Sequence, residues 1–380
     1  MHVDQNLSFA ATMTGLLRNA FSLNCFSPRY MMKTAFELTL QSAGVLKSIL
    51  PESGDKLVWQ EFQNKLQAFH LFEHVDFILG ISPNVSLNLP EMVSRTRVLG
   101  SFLVPWATEG LGHYCTRLRA ANHATGRIMD EDTMKRLPPE AMVPLHTGMG
   151  LALAETVLAR RLDGPSSAEM FLQLCRENAS PQLLGATIEA LGLVVRNLYP
   201  ELLNPLSQHF WQANQELFEY FWHGVGRGIY FWPMNFLPYW STPWQGYETC
   251  LREPPNDLAR RNAVAGFTWA ATLVNLEHPA IIASFLQRHG EHLAADDAFA
   301  NGLFSALVIW LGCAPSDTSI GNLLQYQPDP SHPGLHQLWE TQLRKTGEAA
   351  LHFRPDSVNG TGALFRYHPL SAFRLSAGLP

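Results

Sequence analysis

A short glycine motif recurs along the chain and constrains its fold more than any other feature. In each copy a glycine or small residue, followed two positions later by another, leads into an apolar run of helical character. The copies are Glu109-Gly110-Leu111-Gly112, Thr147-Gly148-Met149-Gly150, Glu189-Ala190-Leu191-Gly192 and His223-Gly224-Val225-Gly226, with weaker ones at Ala265-Gly266 and Asn301-Gly302. The leading small residues fall at 110, 148, 190, 224, 266 and 302, steps of 34 to 42 residues. A period near forty is what a helical-hairpin array needs. Glycine inside a helix costs about 1 kcal/mol relative to alanine. Its return at one register therefore implies a shared packing role, because helix axes that normally cross at 8–10 Å approach closer where no side chain intervenes.

The sequence between the motifs agrees. Leu151 to Leu162 is an apolar run closed by Arg160, Arg161 and Asp163-Gly164-Pro165, and Ser166-Ser167 reads as the next helix start. Ser180-Pro181 opens a helix that runs to Leu198. Alternating strand patterns are nearly absent. The expected fold is an all-α array of helical hairpins with close glycine-mediated packing, either an open α-solenoid or a closed α/α toroid. Three segments are expected: a helical region over 1–95 with joints at Ser82-Pro83 and Leu89-Pro90, the helical array over 96–325, and a C-terminal helix (Gly334 to Leu351) with an irregular strap over 326–380.

Composition limits the functional classes. Only 16% of the 380 residues are charged and 46% are hydrophobic, against roughly a quarter charged in an ordinary soluble domain. This excludes a disordered chain, and a net charge of −6 argues against nucleic-acid binding. Two uncharged stretches invite a membrane reading. Ala298 to Ser316 has too short an apolar heart to span a bilayer and reads as a core helix. Pro233, Pro238 and Pro243 interrupt Gly228 to Tyr247, which reads as an aromatic loop or short helix. Peripheral membrane contact stays open. The five cysteines are odd in number and widely spaced, and the N-terminus shows no signal-peptide pattern, so the expected setting is a reducing cytoplasm.

The run from Phe221 to Phe231, with His223-Gly224-Val225-Gly226-Arg227 at its centre, resembles the glycine–arginine–aromatic box of a family of uncharacterised bacterial proteins. Thr108 to Gly112 and His146 to Gly150 resemble two further boxes of that family, in the same order, over about residues 100 to 310. Members are often encoded near enediyne polyketide biosynthesis genes. The resemblance implies a secondary-metabolite setting and no mechanism.

Several residues are candidates for a site. His223 and Arg227 sit one helical turn apart across two glycines. Arg227 is placed either to take a carboxylate or phosphate or to be tied to a carbonyl or to Glu189 in a neighbouring repeat. Glu109, His113, His146, Glu155 and Glu189 lie near the glycine register and would share a central cavity if the helices close around one. Fourteen aromatics between 210 and 247, among them Trp222, Tyr230 and Trp232, suit an apolar pocket, a partner surface or plain core. His70-Leu71-Phe72-Glu73-His74 matches the H-x-x-E-H pattern, in which His70 and His74 would bind zinc with Glu73 as base. No strand precedes it, and no cofactor is expected. Asp296-Asp297 reads as a first-turn helix pair rather than a metal motif. The leading expectation is an accessory or binding protein of secondary-metabolite biosynthesis that holds an apolar small molecule or a biosynthetic protein partner. The alternatives are an enzyme with an aromatic-lined cavity acting on a polyene or isoprenoid, and a zinc hydrolase using the H-x-x-E-H segment.

Overall fold

The computed structural model describes residues 56–81, 88–121, 127, 129–232, 245–353 and 361–371, and among these every regular element is a helix. In chain order they are α1 (Lys56–Glu73), α2 (Val75–Ile78), α3 (Leu89–Thr96), α4 (Val104–Ala121), α5 (Glu131–Arg136), α6 (Pro139–Leu158), α7 (Gly164–Asn178), α8 (Leu184–Leu198), α9 (Leu203–Ala213), α10 (Gln215–Tyr230), α11 (Gln245–Arg252), α12 (Asp257–Val274), α13 (Pro279–Leu293), α14 (Ala298–Cys313), α15 (Ser319–Gln325), α16 (Pro333–Leu338) and α17 (Lys345–His352). A π-helical stretch, Trp339–Arg344, joins α16 to α17, and a 3₁₀ segment, Thr361–Phe365, follows.

Polar caps set the helix starts. Asn214 accepts from the backbone N–H groups of Glu216 (2.7 Å) and Leu217 (3.2 Å) at α10. Asn256 does the same for Ala259 (2.9 Å) at α12. Some boundaries differ from expectation for the same reason. The cap of α7 is Asp163, which accepts from the Ser166 N–H at 2.7 Å, so the helix starts before the serines. Asn88 caps α3 through the Glu91 N–H at 3.0 Å, so Leu89-Pro90 opens a helix instead of forming a joint. Ser180-Pro181 begins a 3₁₀ turn, Pro181–Leu183, ahead of α8. Residues 1–55 of the expected N-terminal helical region, the joint at Ser82-Pro83, and Pro233, Pro238 and Pro243 of the aromatic stretch lie outside the described residues.

The even-numbered helices α4, α6, α8, α10, α12 and α14 pack each on the next in chain order, and α14 also meets α6. The intervening α7, α9 and α11 lie against them, and α1 packs on α4. Glycines sit in the middle of these helices, not ahead of them. A Cβ on Gly148 would lie 1.9 Å from the carbonyl oxygen of Glu109, and one on Gly112 would lie 2.3 Å from that of Leu145. Between α8 and α10 the same exchange occurs: a Cβ on Gly224 would lie 1.9 Å from the Glu189 oxygen and one on Gly192 2.0 Å from the Phe221 oxygen. Between α10 and α12, a Cβ on Gly226 would lie 2.0 Å from the Ala263 oxygen and one on Gly266 1.9 Å from the His223 oxygen. A Cβ on Gly150 would lie 2.3 Å from the Thr187 oxygen of α8, and one on Gly302 of α14 2.2 Å from the Ala265 oxygen of α12. Backbone therefore touches backbone at successive seams, a geometry that also favours Cα–H···O contacts.

One buried apolar cluster runs from Ala68 on α1 to Tyr367 in the C-terminal segment, so the described parts of the three segments anticipated from sequence share a core. α6 is long and apolar enough to cross a membrane, but 78% of that window is buried inside the molecule. α14, the shorter apolar helix, is almost wholly buried. The strap over 361–371 is pinned by the Tyr367 N–H to Asn262 Oδ1 (2.7 Å), Asn301 Nδ2 to the His368 carbonyl (2.6 Å) and the Leu370 N–H to Asp297 Oδ2 (3.0 Å). Asp296 accepts from the Ala298 N–H at 2.9 Å and pairs with Arg260 at 2.9 Å, in line with the helix-start reading of this acidic pair.

These contacts predict a sharp division among glycines. Gly148→Ala and Gly224→Ala force backbone apart and should each cost about 1–3 kcal/mol or more. Gly312→Ala, on an exposed turn of α14 with open space around it, should be neutral or gain up to about 1 kcal/mol. Urea denaturation of the three variants measures this; equal midpoints would remove the packing role assigned to the seams.

Candidate functional site

Four of the residues singled out in the sequence converge at the centre of the helical layer. Arg227 of α10 is 2% exposed. Its Nη1 donates to Glu189 Oε2 on α8 at 2.8 Å and its Nη2 to Glu109 Oε1 on α4 at 3.3 Å. The guanidinium lies over the Trp269 ring of α12, 4.6 Å from its centroid. His223, one turn before Arg227, places Nδ1 2.9 Å from Glu189 Oε1. Glu189 thus receives both α10 side chains, one on each oxygen.

The glycine seams make this reach possible. The carbonyls that fill the notches at Gly148, Gly224 and Gly266 belong to Glu109, Glu189 and His223. Three members of the network therefore stand at the points of closest helix approach, and Arg227 follows one turn later.

Electrostatics set the protonation of the group. Burial opposes the charge on Arg227, but the Glu189 and Glu109 carboxylates outweigh it and hold its pKa above the ordinary value. Burial pushes the Glu109 carboxyl up, opposed by Arg227 and assisted by the neighbouring charge of Glu189. Burial lowers the His223 imidazole against the pull of Glu189, so the ring is neutral. With an acceptor-only carboxylate at Nδ1, the proton sits on Nδ1. His223 Nε2 is then a bare, buried acceptor without a partner among the described residues, and Arg227 Nε is a buried donor without one.

A cavity of about 100 Å³ opens beside this network. Ala68, Phe69 and Phe72 of α1, Trp106 of α4, Leu151 of α6, Leu193, Val194 and Leu198 of α8, and Phe231 after α10 form its apolar wall. Glu109 and Arg227 form part of its floor, and Glu73, Glu155 and Asn197 complete the lining. The His113 Nε2 lies 3.2 Å from Glu155 Oε1, which places His113 behind the wall.

The remaining candidates sit elsewhere. His146 is fully buried; its Nδ1 lies 2.7 Å from the Met142 carbonyl and its Nε2 accepts from the Ser180 N–H at 3.1 Å, so it ties α6 to the turn before α8. Trp222 donates to Ser207 Oγ at 3.0 Å, joining α10 to α9. Trp232 is half-buried under the Arg196 guanidinium, which forks onto Glu253 at 2.8 and 2.7 Å. Tyr230 belongs to a second buried group that the sequence did not disclose. Its hydroxyl accepts from Asn275 Nδ2 at 2.9 Å, and Lys65 Nζ lies 4.0 Å from its ring centroid. Lys65 and Glu61 pair at 3.3 Å, each 1% exposed, and Asn64 Nδ2 donates to Asn275 Oδ1 at 3.0 Å. His70 and His74 lie side by side, ring centroids 5.0 Å apart and planes tilted by 51°, the one-face arrangement expected of them. Among the described residues no group of three or more His, Cys, Asp or Glu is placed to hold a metal ion. Glu73 lines the cavity.

Comparison with protein-family models, curated proteins and solved structures finds no match.

Two predictions follow from the buried charges. Arg227→Met leaves Glu109 and Glu189 without their cation and should cost about 3–5 kcal/mol. Removing Glu189 as well should cost less than the two single losses added together, because the variants share one interaction. A double-mutant cycle in urea tests this, and additivity would refute the coupling. His146 is held down to about 4 by burial. The unfolded chain, with His146 near 6.5, binds the proton first, so stability is lost as pH falls from about 6.5 towards 4. The loss is on the order of 3 kcal/mol at about 1.4 kcal/mol per unit. In His146→Gln the acid limb of a stability-versus-pH curve should be shallower by a corresponding share.

Proposed function

We propose that this chain is a non-catalytic binding or accessory protein, and that its ligand is an apolar small molecule seated in the cavity between α1 and the inner helices. The observation that carries this reading is the cavity itself: nine apolar lining residues surround it, and a charged network fixed from three helices forms its floor. Ligand sites are mostly apolar hollows with a few placed polar groups, and an apolar hollow of this order admits a ring-sized group. The helices are read as an array of hairpins whose inner members carry the glycine seams. The glycine–arginine–aromatic box at 221–231 supports a setting in secondary-metabolite biosynthesis. Free thiols at Cys115, Cys175, Cys250 and Cys313 suit a cytoplasmic location.

An enzymatic reading on a polyene or isoprenoid draws on one observation, the raised carboxyl of Glu109 at the floor of an aromatic-walled cavity. It ranks second because His223, the other acid–base group of the network, does not line the cavity.

Filling the cavity tests the binding reading. Ala68→Phe places a ring in the hollow with no polar group changed. Binding of toluene, measured by calorimetry, should fall at least tenfold with the melting temperature unchanged or raised. Full toluene binding by a folded Ala68→Phe variant would sink the proposal.

A further inference from the structure

We infer that the ligand of this cavity is a cation, an ammonium group on an apolar body; the inference rests on the binding reading above. The balance of charge points there first. Among the described lining residues Arg227 is the one cation, against the carboxyl groups of Glu73, Glu109 and Glu155. Arg227 is already divided between Glu109 at 3.3 Å and Glu189 at 2.8 Å. His223, the other group on Glu189, is neutral. Two buried carboxyl groups therefore share one guanidinium, and burial together with the charge of Glu189 raises the Glu109 carboxyl. The Thr147 hydroxyl adds a hydrogen bond to Glu109 but no charge. A buried charge is costly unless it is paired, and a second cation beside Glu109 completes the pairing.

Accessibility ranks the same groups in the same order. The side chains of Glu155 and Glu109 are 19% and 11% exposed, that of Arg227 only 2%. His113, beside Glu155, is buried as well. A ligand in the hollow thus meets the acidic side chains before either basic one. The rings of Phe69, Phe72, Trp106 and Phe231 stand in the wall around them. Aromatic faces are negative and attract a cation, more strongly where water is excluded. Wall and floor therefore select the same sign of charge. An ammonium is donor-only and matches carboxylates, which are acceptor-only. A carboxylate ligand finds three acids and a guanidinium that is already balanced. A neutral ligand fits the apolar wall but leaves the excess of acid as it was.

Four probes built on one ring separate the possibilities: benzylamine, benzyl alcohol, benzoate and toluene, titrated calorimetrically into the full chain at pH 7.5, where the amine is protonated. The expected result is that benzylamine binds at least tenfold more tightly than benzyl alcohol or toluene, with benzoate the weakest. Glu109→Gln and Glu155→Gln each remove one acid from the lining. Each should cut the preference for benzylamine over toluene at least threefold while toluene binding is kept. Benzyl alcohol or benzoate binding as tightly as benzylamine would overturn the cation inference and leave the cavity reading standing. An unchanged amine preference in either folded variant would overturn it likewise, and Glu155→Gln, outside the Arg227 network, decides the matter where Glu109→Gln does not fold. If none of the four binds, toluene included, the cavity reading fails and the inference fails with it.

Discussion

The structure depends on carbonyl oxygens set into glycine notches. At the tightest seams a methyl group on glycine would sit about 2 Å from a neighbouring carbonyl oxygen, well inside any real contact. No side chain separates the helices there. Polar side chains are displaced to the flanks of each seam, where residues one turn apart on one helix can reach the next helix. Glu189 receives His223 and Arg227 for this reason. The same contact that forces glycine at 224 holds the Glu189 backbone in place, so the packing constraint and the charged network cannot be separated.

The convergence was legible in sequence as far as the glycine register reached. Glu109, Glu189 and His223 each stand immediately before a small residue of the motif, and Arg227 stands one residue after Gly226. A residue before the notch presents its carbonyl to the seam and its side chain beside it. His146 shows the limit of that rule. It precedes Gly148 by two, and about 100° of helical turn per residue carries it to the turn before α8, where two backbone groups take it up. Aromatic density points to Trp222 and Trp232 but carries no direction. One turns towards α9 and the other lies under Arg196.

The Glu61–Lys65 pair was not legible at all. An acid and a base four residues apart on an amphipathic helix normally form a solvated surface pair. Here α10 and the end of α12 cover them, through Tyr230 and Asn275, and burial drives the Glu61 carboxyl up and the Lys65 ammonium down. What decides their environment lies 150 residues or more further along the chain, beyond any local pattern. Asn197 escapes a local reading for a similar reason: it lines the cavity only together with Ala68, Phe69 and Phe72 of α1, more than a hundred residues earlier.

That gap is built to last. α1 is fixed at two points. Near its C-terminal end the Phe72 carbonyl lies 2.7 Å from the Cβ position of Gly110, a backbone contact of the same kind as the inner seams. Near its N-terminal end Glu61, Asn64 and Lys65 are held by Tyr230 and Asn275. Ala68 and Phe69, which line the cavity, fall between the two anchors. A cavity survives when its surroundings relax only partly, and a helix pinned on both sides of a hollow has little freedom to sink into it. On the opposite wall, α8 and α10 are locked together at Gly192 and Gly224. Collapse would have to break a backbone seam or uncover a buried ion pair, either of which costs more than the dispersion energy recovered by filling about 100 Å³. The hollow is thus a consequence of the same close packing that leaves so little space elsewhere in the core.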